Sequence, residues 1–249
     1  MEMRDWKNTK EPMNKISVCI ATYNGENYIK EQLSSILSQL DVNDEVIISD
    51  DNSTDNTVNI IKSITDYRIK LIYNNQERGY TKNFENAIKH SLGDIIFLSD
   101  QDDIWMSNKV ELTLAILQNN DFVVSDALVT DEHLITTLGS HFKLAKTKKG
   151  FLTNWIKPRY IGACMAFKRK ILKKAFPFPK NQKLCAHDYW IANIAELFYK
   201  TAVFDKPLIK YRRHGYNASP ACEKSPNSLY KKISIRFYTL FHLLKRINS

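Results

Sequence analysis

Residues 94–105 read DIIFLSDQDDIW, a short apolar run that breaks at once into an acidic turn. Ile95 to Leu98 are apolar without interruption, the pattern of a strand buried on both faces. Working outward, similar runs occur at Ile16 to Ala21 (ISVCIA), Glu45 to Ser49 (EVIIS) and Ile69 to Tyr73. Helical spacing fills the gaps between them. Tyr28 to Leu40 aligns Ile29, Leu33, Ile36, Leu37 and Leu40, and Thr57 to Ile64 reads as a second helix. A third runs from Thr81 to Ser91 with Phe84, Ala87 and Ile88 inward. Strand and helix alternating through short loops predict an α/β fold with a Rossmann-like, mostly parallel central sheet flanked by helices. Ligands of such sheets collect beyond the carboxyl ends of the strands. The loops after residues 21, 49 and 98 are therefore the candidate site.

Downstream, the pattern predicts a helix at 108–118, a strand at Phe122 to Val124, a strand at Ile161 to Phe167 and a helix at Asp188 to Phe198. From Thr130 to Lys157 it weakens. That segment, with its basic stretch Lys143 to Lys149, is expected to be a mobile loop or a substrate-facing insertion.

The 249 residues are 43% hydrophobic and 25% charged, enough for one large domain with a C-terminal elaboration. The expected divisions are a tail at 1–14, a domain at 15–220 and a basic amphipathic helix within 221–249. Within the domain, the expected halves are residues 15–105, which carry the three candidate loops, and residues 106–220. A net charge of +9 favours anionic partners without choosing among them. Cys19, Cys164, Cys185 and Cys222 show no metal or disulfide spacing and suit a reducing compartment. Met1 to Asn14 has no secretory h-region, and no apolar run approaches the ~20 residues of a membrane span.

Each candidate loop has a chemical and a purely structural reading. Thr22-Tyr23-Asn24-Gly25-Glu26 can approach a base or ribose, or be a bare turn. In Asp50 to Asp55, Asp51 can read a base while Ser53 or Asp55 caps a helix. Asp100, Asp102 and Asp103 repel one another, which a divalent cation with phosphate oxygens would relieve; an acidic surface turn is the alternative. Asp188, at a helix start, can cap it or accept a proton. Tyr211 to Asn217 (YRRHGYN) gathers cations and an imidazole suited to a pyrophosphate or a metal, or forms a solvated basic turn.

In this order and spacing, ISVCIATYNGENYI, EVIISDDNSTDNT, NNQERGYTKNFENAI, GDIIFLSDQDDIW, CMAFKR, HDYW and YRRHGYN resemble the family 2 glycosyltransferases, across most of residues 15 to 220. The resemblance implies the GT-A fold and a nucleotide diphosphate sugar donor. It places Thr22, Tyr23, Asn24, Glu26, Asp51, Arg78, Asn83, Asp100, Arg212 and Asn217 around that donor. Asp102 and His214 would hold Mn²⁺ or Mg²⁺, and Asp188 would be the base of an inverting transfer. His187 departs from the pattern, since many members have Glu there. The wording SDQDDIW and YRxHGxN is similar to bacterial enzymes of surface polysaccharide synthesis, rhamnosyltransferase-like members included. That implies a UDP-sugar or dTDP-rhamnose donor and a polyprenyl-linked glycan acceptor at the cytoplasmic face of the membrane.

Leu229, Ile233, Phe237, Leu240, Phe241 and Leu244 recur at helical spacing, with Lys231, Lys232, His242, Lys245 and Arg246 across from them. Residues 229–246 are thus expected either to lie on an anionic membrane or to pack on the domain or a partner. Two other classes compete with an enzyme. One is an inactive nucleotide-sugar binding module. The other is a nucleic-acid-binding protein, disfavoured because no recognised motif is present and the DQDD cluster repels phosphate, so no nucleic acid is expected.

Overall fold

The computed structural model describes residues 14–215 and 227–247. Its N-terminal half alternates as expected: β1 (Ile16–Thr22), α1 (Ile29–Leu37), β2 (Glu45–Asp50), α2 (Thr57–Ser63), β3 (Ile69–Tyr73), α3 (Tyr80–His90) and β4 (Ile95–Ser99). These strands pair in parallel in the order β3-β2-β1-β4. β1, β2 and β4 are buried along nearly their whole length because helices cover both faces of the sheet, which is why they read as unbroken apolar runs. Gly93 leads into β4 where the backbone of β1 passes close by. A Cβ there would lie 2.6 Å from the Lys15 carbonyl oxygen.

The C-terminal half extends the same sheet with mixed pairing. It comprises β5 (Ile104–Trp105), α4 (Lys109–Asn119), β6 (Phe122–Thr130), β7 (Thr136–Ser140), α5 (His141–Ala145) and α6 (Phe151–Ile156). Then follow β8 (Met165–Lys168), α7 (Leu172–Ala175), α8 (His187–Phe198), β9 (Thr201–Arg212) and α9 (Leu229–Leu244). β8 joins β4 to β6 through antiparallel pairs, and β9 lies parallel to β6. β5 pairs antiparallel with β9, tying the chain just after the acidic turn to the strand that ends at Arg212.

Several expectations change here. The segment at 130–157 is structured as β7, α5 and α6, anchored when Asp126 in β6 accepts from the Phe142 N–H at 2.8 Å and from the Ser140 hydroxyl. The expected strand at 161–167 begins as a 3-10 turn over Gly162–Cys164 and is extended only from Met165. β6 runs to Thr130 rather than stopping at Val124, because β7 and β9 pair along its extra length. Cys19, Cys164 and Cys185 are buried free thiols; Cys222 lies outside the described residues.

The last helix packs on the domain, one of the readings open to it. Thr239 and Leu243 are buried, and Ile235 and Tyr238 pack against the core. The Tyr238 hydroxyl accepts from the Asn181 N–H at 3.0 Å, and the Arg246 guanidinium lies 5.8 Å over Trp190. Of the residues expected to be basic, His242 and Arg246 are therefore turned to the domain, whereas Lys245 stays exposed. The apolar stripe faces out, with Phe237 68% exposed. No helix among the described residues is long and apolar enough to cross a membrane.

Candidate active site

The carboxyl ends of β1, β2 and β4 converge with the start of α8 and the end of β9. β1 stops at Thr22, whose hydroxyl donates to Asp50 at 2.9 Å and whose carbonyl accepts from the Asn83 amide at 3.1 Å. Tyr23 then turns outward, 47% exposed, with the Arg78 guanidinium 5.0 Å from its ring. Asn24 has a left-handed φ of 47°, and its Oδ1 accepts from the Thr54 N–H at 2.8 Å. Glu26 accepts from the Asn56 N–H at 2.8 Å. Asn24 and Glu26 thus stitch the first loop to the start of α2. Asp55 accepts from the Thr57 N–H and so serves the first turn of α2, as one reading of that loop expected. Ser53 instead bonds Asp50.

Asp51 is buried and organises the third loop. Its carboxylate accepts from the Asn74 amide and the Gly79 N–H, each at 2.8 Å. Gly79 has φ 134° and is crowded by Gln182, whose amide donates to the Arg78 carbonyl at 2.7 Å. That brings the segment before α8 against the loop that flanks Asp51. Arg78 donates to the Asp51 carbonyl at 3.0 Å.

The acidic turn is built from several sides. In α1, Gln32 donates to the Ser99 hydroxyl at 2.6 Å and the Asp100 carbonyl at 3.1 Å. Asp102 meets His214 Nε2 at 2.8 Å, and the His214 ring stacks on Tyr28 at 4.6 Å. The two side chains stand 112 positions apart in the chain, a distance spanned by the β5–β9 pairing. Arg212 braces the turn from behind: its N–H donates to Asp103 at 3.1 Å, Nε to the Asp102 carbonyl at 2.9 Å and Nη2 to Glu31 at 2.5 Å. Asn217 lies outside the described residues.

Charge in this turn is unbalanced. Burial, with Asp102 and Asp188 nearby, pushes the Asp100 carboxyl up to about 8. Burial beside Asp102 and Asp100 raises the Asp103 carboxyl well above its usual range. Asp103 Oδ2 finds no hydrogen-bond partner among the described residues. Two neighbouring carboxyls that the fold keeps from ionising freely fit a divalent cation, the species that would allow both to be charged. Among the described residues no three His, Cys, Asp or Glu side chains make a metal cage on their own. A cation held by Asp102 and His214 would take its remaining ligands from phosphate oxygens and water.

Asp188 sits in the first turn of α8, where its Oδ1 accepts from the Tyr189 N–H at 2.6 Å. Burial first, and then the Asp188 charge among others, raise the pKa values of Asp100 and Tyr80. His187 beside it is buried, stacked at 4.1 Å on Phe84, and burial lowers its pKa to about 4. It is therefore a neutral wall beside Asp188.

Two residues here escaped the sequence reading. Gln101 holds the backbone of Tyr23 from both sides: its Oε1 accepts from the Tyr23 N–H at 2.9 Å and its Nε2 donates to the Tyr23 carbonyl at 3.0 Å. Gly25 leaves the room, since a Cβ there would lie 2.4 Å from Gln101 Oε1. Lys109 is fully buried under the turn, donating to the Ala163 carbonyl at 3.2 Å, and burial lowers its pKa to about 8. Neither contact has a local sequence signal. Gln101→Ala should raise the donor KM about tenfold through two lost hydrogen bonds, with kcat changed less. Donor titrations would show it, and an unchanged KM would mean that the two loops are not mechanically joined.

The half-parallel sheet, with an acidic turn after β4, Asp188 in α8 and His214 just beyond β9, is a GT-A fold. The chain belongs to glycosyl transferase family 2, whose model matches residues 17–176. It is 33% identical over 233 residues to the dTDP-rhamnosyl transferase RfbG of Shigella flexneri, covering 87% of this chain and 78% of that one. It is 35% identical over 106 residues to WfgD of Escherichia coli, a UDP-Glc:alpha-D-GlcNAc-diphosphoundecaprenol beta-1,3-glucosyltransferase, covering 43% of this chain and 42% of that one. Among solved structures it is similar to residues 1–349 of S. aureus TarS in complex with UDP-GlcNAc. That match has a TM-score of 0.72 at 20% identity and covers 92% of this chain and 66% of the other. The mannosyltransferase PcManGT of Pyrobaculum calidifontis, in complex with GDP-Man and Mn²⁺, matches with a TM-score of 0.61 at 18% identity, covering 94% and 73%.

Proposed function

We propose that this chain is an inverting, metal-dependent glycosyltransferase of bacterial surface polysaccharide synthesis. It moves a sugar from a UDP-sugar or dTDP-rhamnose to a polyprenyl-linked glycan at the cytoplasmic face of the membrane, on which residues 229–246 rest. The observation that carries this reading is the meeting of Asp102 with His214 at 2.8 Å, on the cleft that Asp188 shares. RfbG and WfgD, whose names specify a dTDP-rhamnosyl and a UDP-glucosyl transfer, support the donor class; WfgD supports the lipid-linked acceptor.

In this reading the nucleoside lies against Tyr23 and Arg78, on a loop shaped by Thr22, Asn24 and Glu26, with Asp51 and Asn83 holding the floor. Asp100 stands beside the ribose. Asp102 and His214 hold Mn²⁺ or Mg²⁺, which when bound supplies positive charge to the diphosphate. Arg212 keeps the turn in place from behind; Asn217, outside the described residues, is assigned to the donor by the family resemblance alone. Asp188 takes the proton of the acceptor hydroxyl while that oxygen attacks the anomeric carbon. The bond from that carbon to the diphosphate breaks in the same displacement, so the configuration inverts and the electron pair leaves with the nucleotide.

Calorimetry with a panel of nucleotides and nucleotide sugars, in Mn²⁺, in Mg²⁺ and in chelator, tests this directly. One nucleoside diphosphate sugar should bind in a metal-dependent way. Failure of every nucleotide under all three conditions would return the chain to the binding-module or nucleic-acid classes.

A further inference from the structure

The chain carries its charge in two blocks. Residues 1–132 hold 12 Lys and Arg against 23 Asp and Glu, whereas residues 133–249 hold 24 against 4. No acidic residue occurs between Glu132 and Asp188. A net charge of −11 is thus followed along the chain by +20, and the modest total of +9 conceals the division. The cationic block contains α6 and α9, the helices that expose apolar side chains beside one another. Leu152 and Ile156, one turn apart on α6, are both more than 60% exposed. Ile233, Phe237, Phe241 and Leu244 form the outward stripe of α9.

The two helices are fastened together at Arg236. Its guanidinium donates to the Ile156 carbonyl at 2.8 Å, and its own carbonyl accepts from the Trp155 indole at 3.2 Å. Ile233 and Phe237 flank Arg236 on α9, so the exposed end of α6 abuts the exposed stripe. Cations stand around this ground: Lys157 follows Ile156, Lys232 precedes Ile233, and Lys245 lies 4.1 Å over the Phe241 ring. Aliphatic and aromatic side chains set among lysines and arginines are the chemistry of a surface that enters the headgroup layer of an anionic bilayer. Solvent alone does not explain so many large apolar groups on adjoining elements.

We propose that α6 and α9 together form one bilayer-docking face, with Leu152 and Ile156 entering the lipid beside Ile233, Phe237, Phe241 and Leu244. This rests on the membrane-associated function proposed above and extends it from a tail helix to a composite face of the catalytic domain. The extension matters for catalysis because Tyr189, the neighbour of Asp188, touches both helices. Its hydroxyl donates to the Trp155 carbonyl at 2.6 Å, and the Arg236 guanidinium lies 5.8 Å over its ring. Docking through this face would therefore bring the base-bearing end of α8 to the bilayer, where a lipid-linked hydroxyl is presented.

Flotation of the full chain with vesicles of phosphatidylcholine alone, and of phosphatidylcholine mixed with phosphatidylglycerol, tests the face. The chain should float with the anionic vesicles, and added salt should weaken that binding. The pair Leu152→Ser and Ile156→Ser should weaken it roughly tenfold, as should Phe237→Ser with Phe241→Ser. All six side chains named are at least half-exposed or lie on the exposed stripe, so the fold should survive; circular dichroism and transfer to a short water-soluble acceptor provide the check. If the α9 pair abolishes binding and the α6 pair leaves it intact, the composite face is overturned while membrane association stands. If the wild-type chain ignores anionic vesicles, both fall. Self-association of the wild-type chain, lost in either pair and without vesicle binding, would assign the face to a second copy and overturn the proposal.

Discussion

Asp188→Asn is expected to lower the transfer rate by about 10³-fold while leaving donor binding intact, within the 10² to 10⁴ range that a positioned general base supplies. The amide keeps the shape of the side chain, and its oxygen can still accept from the Tyr189 N–H that orients the carboxylate at 2.6 Å. What it loses is the capacity to take a proton. The loops after β1, β2 and β4, proposed above to hold the nucleotide, are untouched. The loss should therefore fall on kcat and on kcat/KM alike, the signature of an interaction made only in the transition state. Transfer assays with a labelled donor, run beside calorimetry of the same variant, separate the possibilities. A parallel collapse of donor affinity would make Asp188 a binding residue, and full activity would remove it from the reaction.

The second large effect is expected from Asp102→Ala. This substitution removes one of two side chains that meet at 2.8 Å and leaves His214, stacked on Tyr28, without its partner carboxylate. Outer-sphere partners of metal ligands alone are worth about 10- to 100-fold in metal affinity, so loss of a direct ligand should cost at least that much. Nucleotide binding in Mn²⁺ should fall to the level that the wild-type chain shows in chelator. Fold stability need not fall with it, since removing Asp102 takes a like charge away from the buried Asp100 and Asp103. Calorimetric titrations and thermal unfolding of both proteins, with and without Mn²⁺, decide it. Equal metal-dependent affinity in the variant would show that Asp102 is not a ligand.

How much of this could be read from residues alone varies sharply along the chain. β1, β2, β3 and β4 with their helices were legible because burial on both faces or one stripe writes itself into neighbouring positions. β9 was not. Its burial fades across Phe204 to Pro207, and its registers with β6 shift twice near Asp126. A strand that irregular has no clean period. The stretch from 130 to 157 was obscure for a related reason: β7 and α5 hold their shape through Asp126, which bonds to Ser140 and Phe142 from a strand already passed.

The site divides in the same way. The types and order of its residues, from TYNGEN to HDYW and YRRHG, were on the page of the sequence, and their spacing was enough to suggest the family. Their employment was not. Arg212 is expected around the donor as a supporting contact, but that its guanidinium reaches the Asp102 and Glu132 carbonyls and Glu31 has no local signal. Gln101 gave no signal, because its partner is a backbone 78 residues away.

By itself, then, the sequence determined the parallel half-sheet, the three loops at its carboxyl edge and the chemical inventory of the cleft, all of which follow from local apolar period and local side-chain chemistry. Only the tertiary structure decided which face of α9 is spent on the domain, that α6 completes the exposed one, and that Asp102 meets His214. Those outcomes depend on contacts between positions far apart in the chain, and a periodic pattern states that a face must be buried without stating against what.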